Sequence, residues 1–228
     1  IGIWAISPKH LFADNLKDEL WLVAGGVFGG SLYFFTENTA LGITQASNVA
    51  FIICTAPLLT TILSLLFYKS EKATKGLIYG SLLALIGVGL VVFNGSVVLK
   101  LSPVGDLLTL LAALSWAFYS LVIKRMTGRY PTVFITRKIF FYGVLTILPA
   151  FLLHPLQPDF DVLLQPLVLS NLLFLAVLAS LSCYILWNVV LKQLGTMRAS
   201  NYIYLNPLVT MVASVLILHE QITWITLM

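Results

Sequence analysis

The sequence predicts an all-α polytopic membrane protein built on an internal duplication, and three observations carry that prediction. Of its 228 residues, 59% are hydrophobic and only 10% charged, with a mean hydropathy of +0.98. A soluble globular domain is roughly 45–50% apolar and about 25% charged, so no water-soluble fold hides this much apolar surface. The apolar residues also come in runs of helix length, without the apolar/polar alternation of barrel strands. Backbone groups in lipid must be satisfied within a helix or a closed barrel, and this pattern selects helices. Finally, the chain says one thing twice. Ala46–Glu71 reads ASNVAFIICTAPLLTTILSLLFYKSE, and Ala199–Glu220 reads ASNYIYLNPLVTMVASVLILHE. Both open on Ala-Ser-Asn, hold one proline inside an apolar run (Pro57, Pro207), and close on a glutamate (Glu71, Glu220) 14 and 13 residues after it. Such a repeat is read before anything else.

Taken in order, residues 1–6 read as the last turn of a helix. Residues 7–19 form a polar connection with Lys9, His10, Asp14, Lys17, Asp18 and Glu19. Spans follow at about 20–41, 45–68, 75–94, 105–126, 133–153, 168–191 and 199–218, each near the roughly 20 residues that cross a hydrocarbon core. An eighth begins near residue 222. The chain opens at Ile1 without an initiator methionine, a basic leader or a cleavage signal. It stops at Met228 just inside a new apolar run, so a stretch cut at both ends is expected.

Positive charge sets the topology. Connections 7–19, 69–75, 124–132 and 192–198 carry ten lysines and arginines, whereas 42–44, 95–104, 154–167 and 219–221 carry only Lys100. That alternation assigns the first set to the cytoplasm. Arg137 and Lys138 lie about a turn inside their span and can snorkel back to its cytoplasmic end. Glu71 then ends its helix inside and Glu220 outside, five spans apart, so the repeated segments point in opposite directions. Inverted repeats let a secondary transporter build two interchangeable faces around one mid-membrane site. A looser echo pairs Tyr33, Asn38 and Gly42 with Tyr184, Asn188 and Gly195.

The polar residues inside the spans are the candidate solute contacts. Glu37, in YFFTENTAL, is an expensive carboxylate that faces either a cavity or the headgroup level, with Tyr33 one turn away on the same face. Asn188, with Tyr184 and Trp187, makes a polar and aromatic face in the echoing helix. Asn206 precedes Pro207, and both prolines are candidate helix breaks that free backbone carbonyls. The bland reading of the asparagines is interhelical glue. Trp116 and Tyr119 share a face suited to an aromatic or cationic solute, or to plain packing. Arg137 and Lys138 either meet an anionic group on the solute or only anchor the span. Gly25 and Gly29, and Gly76 and Gly80, are spaced for close helix packing.

No catalytic set is present: there is no HExxH, Walker or Gly-x-Ser-x-Gly motif, and His10, His154 and His219 all fall in connections. An enzyme is therefore not expected, nor a cofactor or bound metal; Cys54 and Cys183 lie in spans over 100 residues apart. The net charge of +4 sits mostly in the basic connections, which argues against nucleic-acid binding.

The stretches at 46–71 and 199–220 resemble EamA-type transporters of the drug/metabolite transporter superfamily. So does SPVGDLLTLLAALSWAFYSLVIKR at 102–125, which follows the small-residue helix GSLLALIGVGLVVF at 80–93. The likeness covers essentially the whole chain and rests on the order of loose motifs. It implies a ten-helix inverted-repeat (5+5) transporter fold with cytoplasmic termini and a central cavity lined by the first four helices of each half. On that pattern residues 1–99 hold the first repeat and 100–228 the second. The chain would then carry about seven complete spans plus partial helices at both ends. Residues and resemblance together imply a secondary transporter, an exporter of amino acids or similar small metabolites across the bacterial cytoplasmic (inner) membrane by alternating access. Its partners would be a small-molecule solute and the lipid bilayer, with proton coupling through Glu37 and the oligomeric state left open. The alternative is a membrane-embedded binding or assembly subunit without transport.

Overall fold

The computed structural model describes residues 12–68, 74–93, 102–153, 159–207 and 209. Among them all regular structure is helical. Helix α1 (Leu16–Gly26) begins where Asn15 supplies a cap, its side chain accepting from the Asp18 N–H at 2.7 Å, which satisfies one orphan amide of the first turn. Asp18 and Glu19 sit in that turn, where the helix dipole favours anions. The helix widens into a π-helical turn over Val27–Ser31 and resumes as α2 (Leu32–Ile43).

The first Ala-Ser-Asn opens α3 (Ala46–Ile53). At Cys54 and Thr55 the helix is interrupted, with the Thr55 N–H bonded to the Ile52 carbonyl at 2.9 Å. Pro57 then sits in the first turn of α4 (Ala56–Phe67), where its missing N–H is harmless. Next come α5 (Lys75–Phe93), α6 (Pro103–Thr127), α7 (Thr132–Leu153), the short α8 (Phe160–Leu163) and α9 (Pro166–Leu173). A second π-helical stretch, Phe174–Ser182, leads into α10 (Cys183–Leu194). Gly195, at φ +78°, turns the chain in the left-handed region that glycine enters without penalty. It leads into α11 (Thr196–Asn201), which tightens to a 3-10 turn at Tyr202–Leu205 just before Asn206 and Pro207. In both copies α-geometry is lost just ahead of the proline, whose ring clashes with the preceding turn and which donates nothing to it. Glu71 and Glu220 lie outside the described residues.

Among the described residues, three helical stretches are long and apolar enough to cross a membrane: Asn48–Phe67, Pro103–Thr127 and Pro166–Leu194. Helix also runs through 20–41, 75–93 and 133–153, with Lys75–Leu90 a shorter apolar helix. Most of 199–218 lies outside the described residues. Leu172, Leu173, Phe174, Leu175, Val177 and Leu178 are all exposed along one peripheral helix, an apolar face that suits lipid rather than water.

Helix α6 is central, packing against α1, α2, α3, α4 and α10. Its small residues Ala112, Ala113 and Ala117 are fully buried and let neighbouring backbones approach closely. Glycines do the same in α1 and the wide turn that follows it. A Cβ at Gly26 would lie 2.5 Å from the Tyr142 Cβ, and one at Gly30 would lie 3.0 Å from the Gly143 Cα. Gly25 and Gly29 also lie in tight contacts, whereas Gly76 and Gly80 have nothing within 4 Å.

The two repeated stretches touch. Just ahead of the second stretch, the Thr196 hydroxyl is 2.9 Å from that of Ser64, both buried. Ala56 clusters with Ile203, and Cys54 with Tyr204. As one stretch runs from 54 to 64, its contacts run from 204 back to 196, so the two pass in opposite directions.

Candidate functional site

Between α2, α6 and the helix through Ala179 and Trp187 lies a cavity of about 270 Å³, lined by Tyr33, Phe34, Glu37, Trp116, Ala179, Cys183, Tyr184 and Trp187. Trp116 is its hub. Its ring centroid lies 5.1 Å from Tyr33, 5.1 Å from Tyr119, 5.8 Å from Tyr184 and 5.8 Å from Trp187, all within the range of favourable aromatic pairs. Glu37 accepts a hydrogen bond from the Tyr33 hydroxyl at 3.0 Å, one turn away on the same helix. Among the described residues it is the only charged side chain lining the cavity.

A buried polar layer holds these rings in place. The Tyr119 hydroxyl donates to Asn188 Oδ1 at 2.7 Å, and Asn188 Nδ2 donates to Thr136 Oγ1 at 2.9 Å. One fully buried asparagine thus ties α6, α7 and α10 together. The Tyr184 hydroxyl donates to the Gly29 carbonyl at 2.5 Å, so an amide oxygen in the wide turn meets a donor from α10. Both π-helical stretches end two residues before a cavity tyrosine, Tyr33 and Tyr184. Such insertions concentrate at functional sites. A second cavity of about 270 Å³ adjoins the first through Phe34 and Tyr184 and is closed by Gly29, Gly30, Ile139 and Phe140.

With that geometry in view, a family model described as the EamA-like transporter family matches residues 1–93 and 103–228. The chain belongs to that family. An uncharacterized transporter of Archaeoglobus fulgidus is 26% identical over 220 residues, spanning 96% of this chain and 74% of the relative. An uncharacterized transporter of Bacillus subtilis is 29% identical over 218 residues, 90% of this chain and 67% of its own length. A probable amino-acid metabolite efflux pump of Salmonella typhimurium is 26% identical over 229 residues, with 95% and 75% covered. One crystal structure superposes at a TM-score of 0.74 with 18% identity, over 91% of this chain and 70% of that one, a likeness of fold. The EamA chain is accordingly a multi-pass membrane protein of a transporter family, and the family and relatives' names point to transport rather than to an enzyme.

Of the residues singled out in the sequence, Tyr33, Glu37, Trp116, Tyr184 and Trp187 line the cavity, with Tyr119 and Asn188 directly behind it. The others lie elsewhere. Asn38 is exposed and its amide donates to the Phe34 carbonyl of its own helix at 2.7 Å. Arg137 is buried with its guanidinium 5.1 Å from the centre of the Phe134 ring. Asn206 is exposed, Pro207 half-buried and Pro57 buried, and none of the three lines the cavity. Phe34, Ala179 and Cys183 line it without having been singled out as solute contacts, because each looks like ordinary lipid-facing residue content.

At the end of the bundle where α1 begins, a polar clamp joins α1 to the α6–α7 connection. Arg129 Nη1 reaches both Asp18 oxygens at 2.9 and 3.0 Å, and the Tyr130 hydroxyl donates to Asp18 at 3.1 Å. Glu19 accepts from Lys138, from Tyr142 and from the Ala13 N–H. Burial opposes ionisation of both carboxyls, but the hydrogen bonds from Arg129, Tyr130 and Asn15 hold Asp18 below the usual carboxylate range, and those from Lys138, Tyr142 and Ala13 do the same for Glu19.

Proposed function

We propose that this chain forms the solute pathway of a secondary transporter that exports amino acids or similar small metabolites across the bacterial cytoplasmic membrane. The observation that carries the reading is the Glu37 cavity, a lone carboxylate among aromatic rings at the meeting point of three helices. Membrane carboxylates are costly and face cavities or partners, and solute sites gather between helices near interrupted segments. The substrate class is carried over from the relatives named as amino-acid metabolite efflux pumps. Alternating access fits the opposed direction of the two repeated stretches, which meet at Ala56 and Ile203 and at Cys54 and Tyr204. Repeats over 1–99 and 100–228 in a 5+5 arrangement fit the same contacts. The ten-to-one distribution of basic residues supports a cytoplasmic side for connections 7–19, 69–75, 124–132 and 192–198.

The test uses the full-length protein in proteoliposomes, loaded with candidate amino acids and small metabolites, with and without a pH gradient. Solute-specific flux that saturates establishes transport, its response to the gradient establishes or removes proton coupling, and loss of that response in Glu37→Gln assigns the coupling to Glu37. Saturable binding without flux would overturn the transport reading in favour of a binding subunit.

A further inference from the structure

The cavity's charge balance says more about its ligand than the family does. We infer that the site selects an organic ammonium ion with an aromatic body and no carboxylate, an arylalkylamine rather than a zwitterionic amino acid. This rests on the reading of the cavity as the solute site.

Three features converge. Tyr33 occupies Oε1 of Glu37 at 3.0 Å, and an ionised carboxylate has about four acceptor positions, so capacity remains for an ammonium. Around it stand the rings of Tyr33, Trp116, Tyr184 and Trp187. The indole nitrogens of Trp116 and Trp187 are buried without an acceptor, so these rings offer the cavity faces and edges rather than N–H donors. Ring faces attract cations. A volume of about 270 Å³ is just under the roughly 300 Å³ at which drug-sized pockets begin, which suits one aromatic ring on a short chain.

The third feature is where the positive charges are. An amino acid's carboxylate would need a cation, and four basic residues of α6 and α7 are engaged elsewhere, while Lys192 lies exposed in the last turn of α10, two turns beyond Tyr184. Arg137 lies over Phe134, Lys138 pairs with Glu19, Arg125 lies over Trp21 and Lys124 over Tyr68. A second carboxylate entering beside Glu37 would meet like charge with no described counter-ion, and like charges at short range in a low dielectric repel strongly. The adjoining cavity, lined mainly by apolar side chains such as Ile139, Phe140, Val144 and Ile147, gives the ring of a longer arylalkylamine somewhere to go beyond Phe34 and Tyr184.

The experiment is a charge series on one body. Phenethylamine, phenylalanine and 3-phenylpropionate are titrated against the full-length protein in lipid nanodiscs, read by tryptophan fluorescence, and each is then tested for flux in proteoliposomes. Phenethylamine is expected to bind roughly tenfold or more tightly than phenylalanine, with phenylpropionate weakest, a ratio of about 1.4 kcal/mol. Glu37→Gln should abolish that preference, and Trp187→Leu should weaken the amine while leaving the protein's melting temperature near wild type. Phenylalanine binding as tightly as phenethylamine, or no binding by any of the three, overturns the inference, and so does amine binding untouched by Glu37→Gln. Because the series is run on the wild-type protein, a variant that fails to fold does not remove the test. Amine-selective binding without flux would leave the site's selectivity standing and sink transport. Flux of phenylalanine without amine preference would do the reverse.

Discussion

Gly29 is the position where the smallest change should do the most damage. A Cβ there would lie 2.2 Å from Cδ2 and 2.6 Å from Cγ of Tyr119, against a carbon–carbon optimum of about 3.5–4.0 Å. The ring must retreat by more than about 1 Å in Gly29→Ala. Tyr119 is fully buried and its hydroxyl is 2.7 Å from Asn188, so a shift of that size takes the pair out of hydrogen-bond range. Overpacking costs about 1–3 kcal/mol, and a hydrogen bond in a membrane interior about 0.6–1.7 kcal/mol. Together Gly29→Ala should lose about 2–4 kcal/mol. The assay is reversible unfolding in mixed micelles, run as a double-mutant cycle with Tyr119→Leu. With the ring gone, the alanine penalty should fall below about 1 kcal/mol. A Gly29→Ala protein as stable as wild type would refute the reasoning, as would an equal penalty in both backgrounds.

Three further outcomes follow from the contacts described. Asn188→Leu leaves the Tyr119 hydroxyl buried without its acceptor and should cost about 1–3 kcal/mol; pairing it with Tyr119→Phe should restore most of that loss in the same unfolding assay. Asp18 and Glu19 ionise more readily in the folded protein than in the unfolded chain, so the clamp's contribution is full above the ordinary carboxylate range and is lost as pH falls through the depressed values. The melting temperature in detergent should therefore drop on acidification below about pH 4, and less steeply in Asp18→Asn. Ser64→Ala should cost under about 1 kcal/mol, and adding Thr196→Val should cost less than the two changes summed, since they share one hydrogen bond.

How far the site was legible depended on what kind of fact each residue carries. Glu37 and its aromatic neighbours were visible because a carboxylate in an apolar span, and rings three or four residues apart, are exceptions that need an explanation whatever the fold. Arg137 and Asn206 were equally conspicuous, but whether an odd residue faces a cavity depends on which side of its helix it occupies. That side depends on every residue of turn geometry before it, and the two π-helical stretches shift it without leaving an apolar period to read. The same holds at the clamp. Asp18 and Arg129 are 111 residues apart and read only as loop charges, and nothing local chooses their partners. The breaks near Pro57 and Pro207 were readable because proline acts on its own backbone.

The wide turn at Val27–Ser31 has an angular consequence. Gly25, Gly29, Tyr33 and Glu37 fall at every fourth position. In an unbroken α-helix each such step overshoots a full revolution by about 40°, so the fourth residue would sit about 120° around from the first. A π-helical turn inserts one extra residue, worth about 100°, and cancels nearly all of that drift. The four residues therefore form one stripe, with Gly25 against Val122, Gly29 against Tyr119, and Tyr33 against Trp116. Straightening the turn into ordinary α-helix with every residue kept would leave the span's composition unchanged and still swing Glu37 about 100° away from Trp116, out of the cavity. The insertion works as a phase corrector: it spends one residue of length to keep a glycine seam and a carboxylate on the same side of the helix.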